Sequence, residues 1–467
     1  MGGFLSDLKP EINSEILYSS CGPIHGNVYK HEDKIVEGYL GIPFAEPPER
    51  FQKPIEANIW NDVKQCTTYG PGCPQSGIFD QMRDQLGLVF DEHKCLSLNV
   101  FVPQWKRDEV PPGFPVIVNI FGGGFEMGTS AAYDDFSISG TLPLKDVIVV
   151  TINYRVGAYG FFTTGDDVCH GNFALWDQTL ALKWIQKHIA SFGGNPKNVT
   201  VVGCSAGGVC ADLLTLSTHS RDLFQKCISM SGSADCEMAC RSSENQAKIF
   251  REFAMENGCY KNAVPDPVYT RIGDNIDFSA SKLFGPDVVD DSEDVLKTLN
   301  DSYLQGIEQS NTVSVRKRFI EFLGDAVFND GILKSVQSAA KSGNDVYFYS
   351  FDFCNPDGYG PLGEMLDFKA SSHGNDFRYI FGVGGYEKFV PNDQELEVME
   401  MMITMFSNFA KYGNPNGVES NGIWEKYTLS SPGTYFKIDH PTSEMKNGFL
   451  NDRLAKIKAI ERKIINF

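Results

Sequence analysis

The chain has 467 residues, of which 42% are hydrophobic and 22% charged, a balance that supports a packed core and argues against disorder. Asp and Glu outnumber Lys and Arg by 60 to 41, which gives a net charge of -19. Because this charge repels nucleic acid and no basic run offsets it, we expect no nucleic-acid partner.

The first residues, MGGFLSDLKPEINSE, lack the positive flank and long apolar stretch of a secretory signal. We therefore expect a cytoplasmic protein. The same start fits the N-myristoylation pattern, with Gly2 as the acceptor and Ser6 at the required offset; the alternative is an ordinary frayed terminus. One myristoyl chain without a polybasic patch gives only weak, reversible membrane association.

The 12 cysteines are too sparse for a disulfide scaffold, and they form no CxxC pair or Cys/His cluster suited to zinc. The sequence therefore predicts neither a metal site nor a cofactor.

Near-continuous apolar runs predict buried strands at 116–121, 147–154, 198–203, 226–232 and 345–353. Between the second and third strands, Trp176, Leu180 and Trp184 recur at four-residue steps, which predicts a helix over 175–189. Alternating strands and helices are typical of an α/β sheet. Since no repeat or Pro/Ser linker divides the chain, we predict one domain over 12–460, preceded by an N-terminal segment, 1–11.

A glycine triplet, Gly122 to Gly124, follows the predicted strand 116–121. Such a triplet is usually a flexible loop, but this one ends a buried strand and precedes Phe125. Glycine lets the backbone come close to a bound carbonyl. The triplet is therefore a candidate loop of backbone donors for the negative oxygen that develops during acyl transfer.

Gly203, Ser205 and Gly207 form a GxSxG motif between the predicted strand 198–203 and a helix-like pattern. A sharp strand-to-helix turn needs small neighbours, because Cβ atoms on both flanks would clash. Such a turn raises the Ser205 hydroxyl to the edge of the sheet and puts the Ala206 N–H at a helix start. Without this context GxSxG is as often a plain turn.

A base for this serine would come from a histidine later in the chain. The histidines after Gly124 are His170, His188, His219, His373 and His440. His188 lies on the flank of the predicted helix. His219 comes too soon after Ser205 to leave room for further strands between the nucleophile and the base. His373 lies in a Ser/Gly loop ahead of an aromatic helix, and its position alone favours a surface loop histidine.

These residues belong to a longer series of motifs, which includes GYLGIPFAEPP, CLSLNVFVP, FGGGF, INYRVGAYGFF, GNFALWDQTLALKWIQKHIASFGGNPKNVTVVGCSAGG and FAKYGNPNG. With them the chain resembles the type B carboxylesterase and cholinesterase family from about residue 24 to residue 440. The resemblance implies an α/β-hydrolase fold with a central, mostly parallel sheet flanked by helices. It also implies hydrolysis of a small-molecule carboxylic ester.

The resemblance assigns roles position by position. Ser205 corresponds to the nucleophile that forms an acyl-enzyme, and His373 to the base. Gly123, Gly124 and Ala206 correspond to the oxyanion-hole donors. The sequence indicates neither an oligomeric state nor a particular ester.

The chain departs from the family pattern at two places. The residue before the nucleophile, usually Glu in the family, is Cys204, which we interpret as a packed small side chain. No tryptophan lies between Cys73 and Cys95, where cholinesterases carry the partner of the quaternary ammonium, so the resemblance is to a carboxylesterase.

Cys73 and Cys95 match the family's first disulfide; in a cytoplasmic protein the alternative is two buried free thiols.

The family's triad acid has no counterpart. The GxxxxEG segment that carries it is absent, as though a block were missing after about residue 262. Asp277 and Asp274 are the nearest substitutes, but either fits a solvated loop aspartate better, so neither is assigned. The alternatives to an active esterase are a neuroligin-like binding protein and a truncated isoform; the intact serine, histidine and glycine loop favour the esterase.

Overall fold

The computed structural model describes residues 13–47, 49–75, 84, 87–105, 113–256, 303–308, 311–358, 368–384, 389–418, 422–450, 453–455 and 457. Asp277 and Asp274 lie outside these residues, as does the N-terminal segment with Gly2.

The chain divides into two compact units. The first contains Met1–Met230, Arg241–Arg271 and His373–Gly422, and the second contains Ser231–Cys240, Ile272–Ser372 and Ile423–Phe467. This division rests on compactness, and the single domain over 12–460 stays a prediction.

The strands of the first unit are β1 Leu17–Ser19, β2 Gly22–His25, β3 Asn27–His31, β4 Lys34–Pro43, β5 Lys64–Gln65, β6 Ser97–Pro103, β7 Phe114–Ile120, β8 Ile148–Ile152, β9 Gly194–Cys204 and β10 Lys226–Met230. Over the described residues, β10-β9-β7-β8-β6-β4-β3 is the order of a seven-stranded sheet, and β1, β2 and β5 form a small second sheet. The β10, β9, β7 and β8 strands pair in parallel, and β8, β6, β4 and β3 pair antiparallel.

The helices are α1 Asp135–Ser139, α2 Gly157–Phe161, α3 Phe173–His188, α4 Ala206–Leu216, α5 Ser243–Glu256, α6 Thr312–Gly324, α7 Asp330–Lys341, α8 Arg378–Phe381 and α9 Asp393–Tyr412. A π-helical turn, Asp325–Asn329, joins α6 to α7. Of these, α6 and α7 belong to the second unit. Among the described residues, no helix combines the length and apolarity needed to span a bilayer.

The predicted α/β class is confirmed, and four of the five predicted strands lie in the seven-stranded sheet as β7, β8, β9 and β10. Every residue of β6, β7 and β8 is buried, as expected for strands in the middle of a sheet. The prediction of a buried strand is wrong for β10, whose first four residues are only partly buried. The reason is that β10 is at the edge of the sheet as described.

The predicted helix 175–189 is confirmed as α3, two residues longer at its start. Its buried face differs from the predicted stripe, because Trp176 and Leu180 are only partly buried while Asp177 is fully buried. Asp177 accepts hydrogen bonds from Arg155, at 2.8 Å from Nε, 2.7 Å from Nη2 and 3.0 Å from the backbone N. This buried ion pair joins α3 to the segment after β8.

The second unit contains its own three-stranded sheet, β11 Tyr349–Phe351, β12 Tyr435–Ile438 and β13 Glu444–Lys446. The predicted buried strand 345–353 is wrong in its length and its burial. Only Tyr349–Phe351 form a strand, β11, and this strand is partly buried. Nearby in this unit, Asp325 accepts two hydrogen bonds from Arg453, at 2.8 and 2.9 Å.

Candidate active site

The GxSxG motif forms a sharp turn between β9 and α4. Ser205 is the single residue between the strand, which ends at Cys204, and the helix, which begins at Ala206. Its φ of 58° and ψ of -128° are a strained conformation for a residue with a Cβ. Ser205 N donates to Met230 O at 2.8 Å, and Val209 N donates to Ser205 O at 3.0 Å. The strained residue is therefore fastened to the next strand and to its own helix.

The two glycines of the motif are required by backbone contacts. A Cβ added at Gly203 would lie 2.1 Å from Gly207 O, and one added at Gly207 would lie 2.1 Å from Ile120 O. Neither oxygen belongs to a side chain that could move away. A side chain in place of either glycine would therefore cause the steric clash that the sequence predicts on both sides of Ser205.

The glycine loop after β7 packs against this turn. A Cβ at Gly122 would lie 2.4 Å from Cys204 O and 3.1 Å from the Cβ of Ser205. Gly123 and Gly124 have φ values of 127° and 63°, which favour glycine. Their peptide N–H groups lie in the loop that contacts the turn, while the N–H of Ala206 is in the first turn of α4, where it has no acceptor within the helix.

The structure brings the His373 segment to the same place. A Cβ added at Gly374, whose φ is 75°, would lie 3.4 Å from Cys204 Sγ. The residue after His373 therefore lies beside the residue before Ser205, although 168 positions separate the two candidates. Cys204 is buried, which agrees with its interpretation as a packed small side chain.

The His373 side chain is exposed to solvent. The surrounding protein still desolvates the imidazole in part, and this lowers its pKa from the ordinary 6.5. A lowered pKa favours the neutral imidazole, which is the form that can accept a proton.

Two other candidate histidines of the first unit have different surroundings. His188 is buried, and its Nδ1 lies 2.8 Å from Ser20 Oγ. His219 packs on Trp176, with ring centroids 4.7 Å apart. Both contacts are compatible with structural roles.

Sequence reasoning missed a buried side chain behind the glycine loop. Gln75 donates from Nε2 to Gly128 O at 2.9 Å and accepts from Gly128 N at 2.8 Å. It follows Cys73, which forms a disulfide with Cys95, their Cα atoms 4.8 Å apart. The alternative of two free thiols is therefore wrong. The sequence offered no signal for Gln75 beyond its place two residues after Cys73.

A partly parallel sheet with a strained serine turn after β9 and a glycine loop after β7 defines an α/β hydrolase. A model of the carboxylesterase family matches residues 13–272 and 268–456. The chain belongs to the carboxylesterase family.

Individual relatives agree with this assignment. Esterase cest-33 of Caenorhabditis elegans is 43% identical over 535 residues, which cover 99% of this chain and 97% of that protein. Carboxylesterase 1E of Mus musculus is 29% identical over 491 residues, covering 83% of this chain and 84% of that protein. Neuroligin-2 of Mus musculus is 29% identical over 527 residues, covering 89% of this chain but 60% of that protein. The protein is a carboxylic ester hydrolase, and its family indicates small-molecule esters as substrates.

The comparisons also bear on the missing block. The alignment with the worm esterase has 535 positions and this chain has 467 residues, so at least 68 positions face a gap in this chain. The two matched segments of the family model meet at 268–272. Both findings agree with a block missing after about residue 262.

Proposed function

We propose that this protein hydrolyses carboxylic esters through an acyl-enzyme on Ser205, with His373 as the base. The observation that carries the proposal is the packing of Gly374 against Cys204, because it puts the segment of the base beside the strained serine.

In the first step Ser205 Oγ attacks the ester carbonyl while His373 takes the hydroxyl proton. The negative charge that develops on the carbonyl oxygen is stabilised by the N–H groups of Gly123, Gly124 and Ala206. One such donor lowers the barrier by about 3–4 kcal/mol. His373 then gives its proton to the leaving alcohol, and the acyl group stays on Ser205.

In the second step water takes the place of the alcohol. His373 removes a proton from the water, which attacks the acyl carbonyl at the same oxyanion site. The bond to Ser205 Oγ breaks, the hydroxyl regains its proton from His373, and the carboxylic acid leaves. The enzyme returns to its starting state.

The test is covalent labelling with a fluorophosphonate, followed by hydrolysis of p-nitrophenyl butyrate. We expect the wild type to take up label and Ser205→Ala to take up none. Ser229→Ala is the matched control, since Ser229 lies on the neighbouring strand β10 and its hydroxyl donates to Gly208 O at 3.2 Å. A wild type that resists labelling and hydrolyses no faster than Ser205→Ala would overturn the proposal and favour a neuroligin-like binding role.

We also propose weak, reversible membrane association through a myristoyl group on Gly2, in a cytoplasmic protein. The support is the pattern of Gly2 and Ser6 and the modest affinity that one acyl chain provides. The Cys73–Cys95 disulfide is the observation that speaks against a cytoplasmic location, because disulfides are rare there.

Cells that express the chain can be fed an alkyne analogue of myristate and then fractionated. We expect label on the wild type and on Gly3→Ala, the matched control, but none on Gly2→Ala, with the protein recovered from cytosol and membrane fractions. Unlabelled wild-type protein, or protein recovered only from the medium, would contradict this proposal.

A further inference from the structure

The glycine loop of the oxyanion site ends at Gly128, and one buried side chain holds both peptide groups of that residue. Gln75 Nε2 donates to Gly128 O at 2.9 Å, and Gly128 N donates to Gln75 Oε1 at 2.8 Å. Gln75 is 9% exposed. A single amide thus replaces the partners that a neighbouring strand would give this stretch of backbone.

Gly128 is in close contact with the start of the loop. Its φ is 128°, and a Cβ there would lie 2.3 Å from the Phe121 ring and 2.7 Å from Gly122 O. One residue earlier, Met127 N donates to Gly123 O at 3.1 Å. The position of Gly128 is therefore coupled to the positions of Gly122 and Gly123.

The segment that carries Gln75 is itself firmly held. Gln75 Nε2 also donates to Cys73 O at 3.1 Å, and Cys73 is bonded to Cys95. On the preceding residue, Gly72 N donates to Val89 O at 2.8 Å and Gly72 O accepts from Asp91 N at 3.0 Å. Gln75 is therefore a fixed support for the loop.

A second buried amide holds the chain just beyond Gly128. Asn153 Nδ2 donates to Pro71 O at 3.0 Å, and Asn153 Oδ1 accepts from Ser130 N at 2.8 Å. The segment before Gln75 and the segment after Gly128 are thus tied to one side chain at the end of β8.

We propose that Gln75 is a positioning residue for the oxyanion hole, which it serves by fixing Gly128 and, through it, the N–H groups of Gly123 and Gly124. The inference rests on the proposed function, since it presumes that these groups stabilise the oxyanion. Backbone donors act only when they are preorganised, and a misplacement of about 1 Å can cost about 10²-fold in rate.

The test uses two variants and a matched control. Gln75→Met keeps the length of the side chain and removes all three hydrogen bonds, whereas Gln75→Glu keeps the bond from Gly128 N. The control is Gln186→Met, because Gln186 Nε2 likewise donates to two backbone carbonyls, those of Pro196 and Leu223, both at 2.8 Å.

We expect Gln75→Met to lower kcat for p-nitrophenyl butyrate about 10²-fold with KM within about twofold, and to weaken binding of a trifluoromethyl ketone by the same factor as kcat. Gln75→Glu should lose activity as well, because a carboxylate oxygen replaces the Nε2 donor opposite the carbonyls of Gly128 and Cys73. Gln186→Met should match the wild type. Amide hydrogen exchange across 122–128 should accelerate in Gln75→Met and stay unchanged in Gln186→Met.

The inference is overturned if Gln75→Met keeps wild-type kcat, ketone affinity and exchange, or if the Gln75 and Gln186 variants lose activity only in proportion to folded protein. Should Gln75→Met not fold, Gln75→Glu gives the same comparison. Fluorophosphonate labelling of the wild type separates this inference from the proposed function. A labelled wild type with unaffected Gln75 variants refutes only the positioning role, whereas faster exchange in Gln75→Met without wild-type labelling supports the positioning and refutes the hydrolytic mechanism.

Discussion

At the scale of single residues, the candidate nucleophile is defined by a backbone conformation. Ser205 has a φ of 58°, which side chains with a Cβ adopt at a cost, and the hydrogen bonds to Met230 and Val209 maintain it. The glycines on either side have no space for a Cβ. The strain is held by the fold around Ser205, at the point where β9 ends and α4 begins.

The pKa of His373 predicts how activity depends on pH. Desolvation lowers this pKa below the ordinary 6.5, so the ring stays neutral, and able to act as a base, at more acidic pH than a free histidine. Activity is then present above the folded-state pKa and lost as the pH falls through it. We expect the acid limb of kcat/KM for p-nitrophenyl butyrate to have its midpoint below pH 6.5. A midpoint at or above 6.5 would contradict this assignment.

His31 predicts how stability depends on pH. Its Nε2 lies 2.8 Å from Ser139 Oγ, its ring packs on Phe136, and desolvation lowers its pKa from 6.5 to about 4. Between these values the unfolded chain binds a proton that the folded chain does not, so the free energy of unfolding falls as the pH drops below 6.5.

The measurement is urea unfolding of the wild type and His31→Gln at pH 7.5 and pH 4.5. Relative to His31→Gln, the wild type should lose about 2 kcal/mol between the two pH values. The exposed His170 supplies the control variant His170→Gln. An equal pH dependence of the wild type and His31→Gln would refute the prediction.

At the scale of elements, the site depends on where β7, β9 and α4 end or begin. The glycine loop starts after β7 and the serine turn follows β9, and these strands are parallel neighbours. Their carboxyl ends therefore lie at the same edge of the sheet, which is where ligands bind in open α/β sheets. The antiparallel half, β6, β4 and β3, extends the sheet on the other side of β8.

The ion pair between Arg155 and Asp177 should be essential to this arrangement of elements. Both side chains are buried, with 4% and 0% of their surfaces exposed. Asp177→Asn leaves the guanidinium buried without its counter-charge, and we expect it to cost about 3–5 kcal/mol in urea unfolding. Replacing both residues, as Arg155→Met with Asp177→Leu, should cost less than this single change.

The exposed pair of Lys187 and Glu56, at 51% and 45% exposure, provides the comparison. Glu56→Gln should change the free energy of unfolding by about 1 kcal/mol or less. If Asp177→Asn is no more costly than Glu56→Gln, the buried pair does not support α3 as we infer.

At the scale of the whole molecule, the outstanding feature is the block missing after about residue 262. We expect this block to include the segment that, by the resemblance, carries the triad acid in the family. A triad without its acid typically turns over about 10⁴-fold more slowly, because the imidazole loses its orientation and tautomer.

We expect no compensation from Asp277 or Asp274, because the sequence does not assign either as the triad acid. Asp277→Asn and Asp274→Asn should each leave kcat within about twofold of the wild type, whereas His373→Ala should abolish turnover as completely as Ser205→Ala, since the two act as a unit. A loss of several thousandfold in either aspartate variant would instead identify that residue as the acid.

Much of this protein follows from its sequence alone, and the reason is that the relevant signals are local. Near-continuous apolar runs predict β7, β8 and β9, and the four-residue spacing of apolar side chains predicts α3. The steric demands of a tight turn identify Ser205 between its glycines. Disulfide bonding of Cys73 and Cys95 was implied only by resemblance. No pattern in the sequence predicts the antiparallel half of the sheet, the position of β10 at the edge of the sheet as described, or the separate sheet that contains β11.

Only the tertiary structure decided which distant segments meet. Gly374 against Cys204 and Gln75 against Gly128 are contacts between residues 170 and 53 positions apart. The spacing of apolar residues in these segments predicts neither pairing. The reason is that a buried amide can form hydrogen bonds with many different backbone groups, and a small residue can pack against many different neighbours. Which partner it finds is determined by the packing of the whole sheet and its loops.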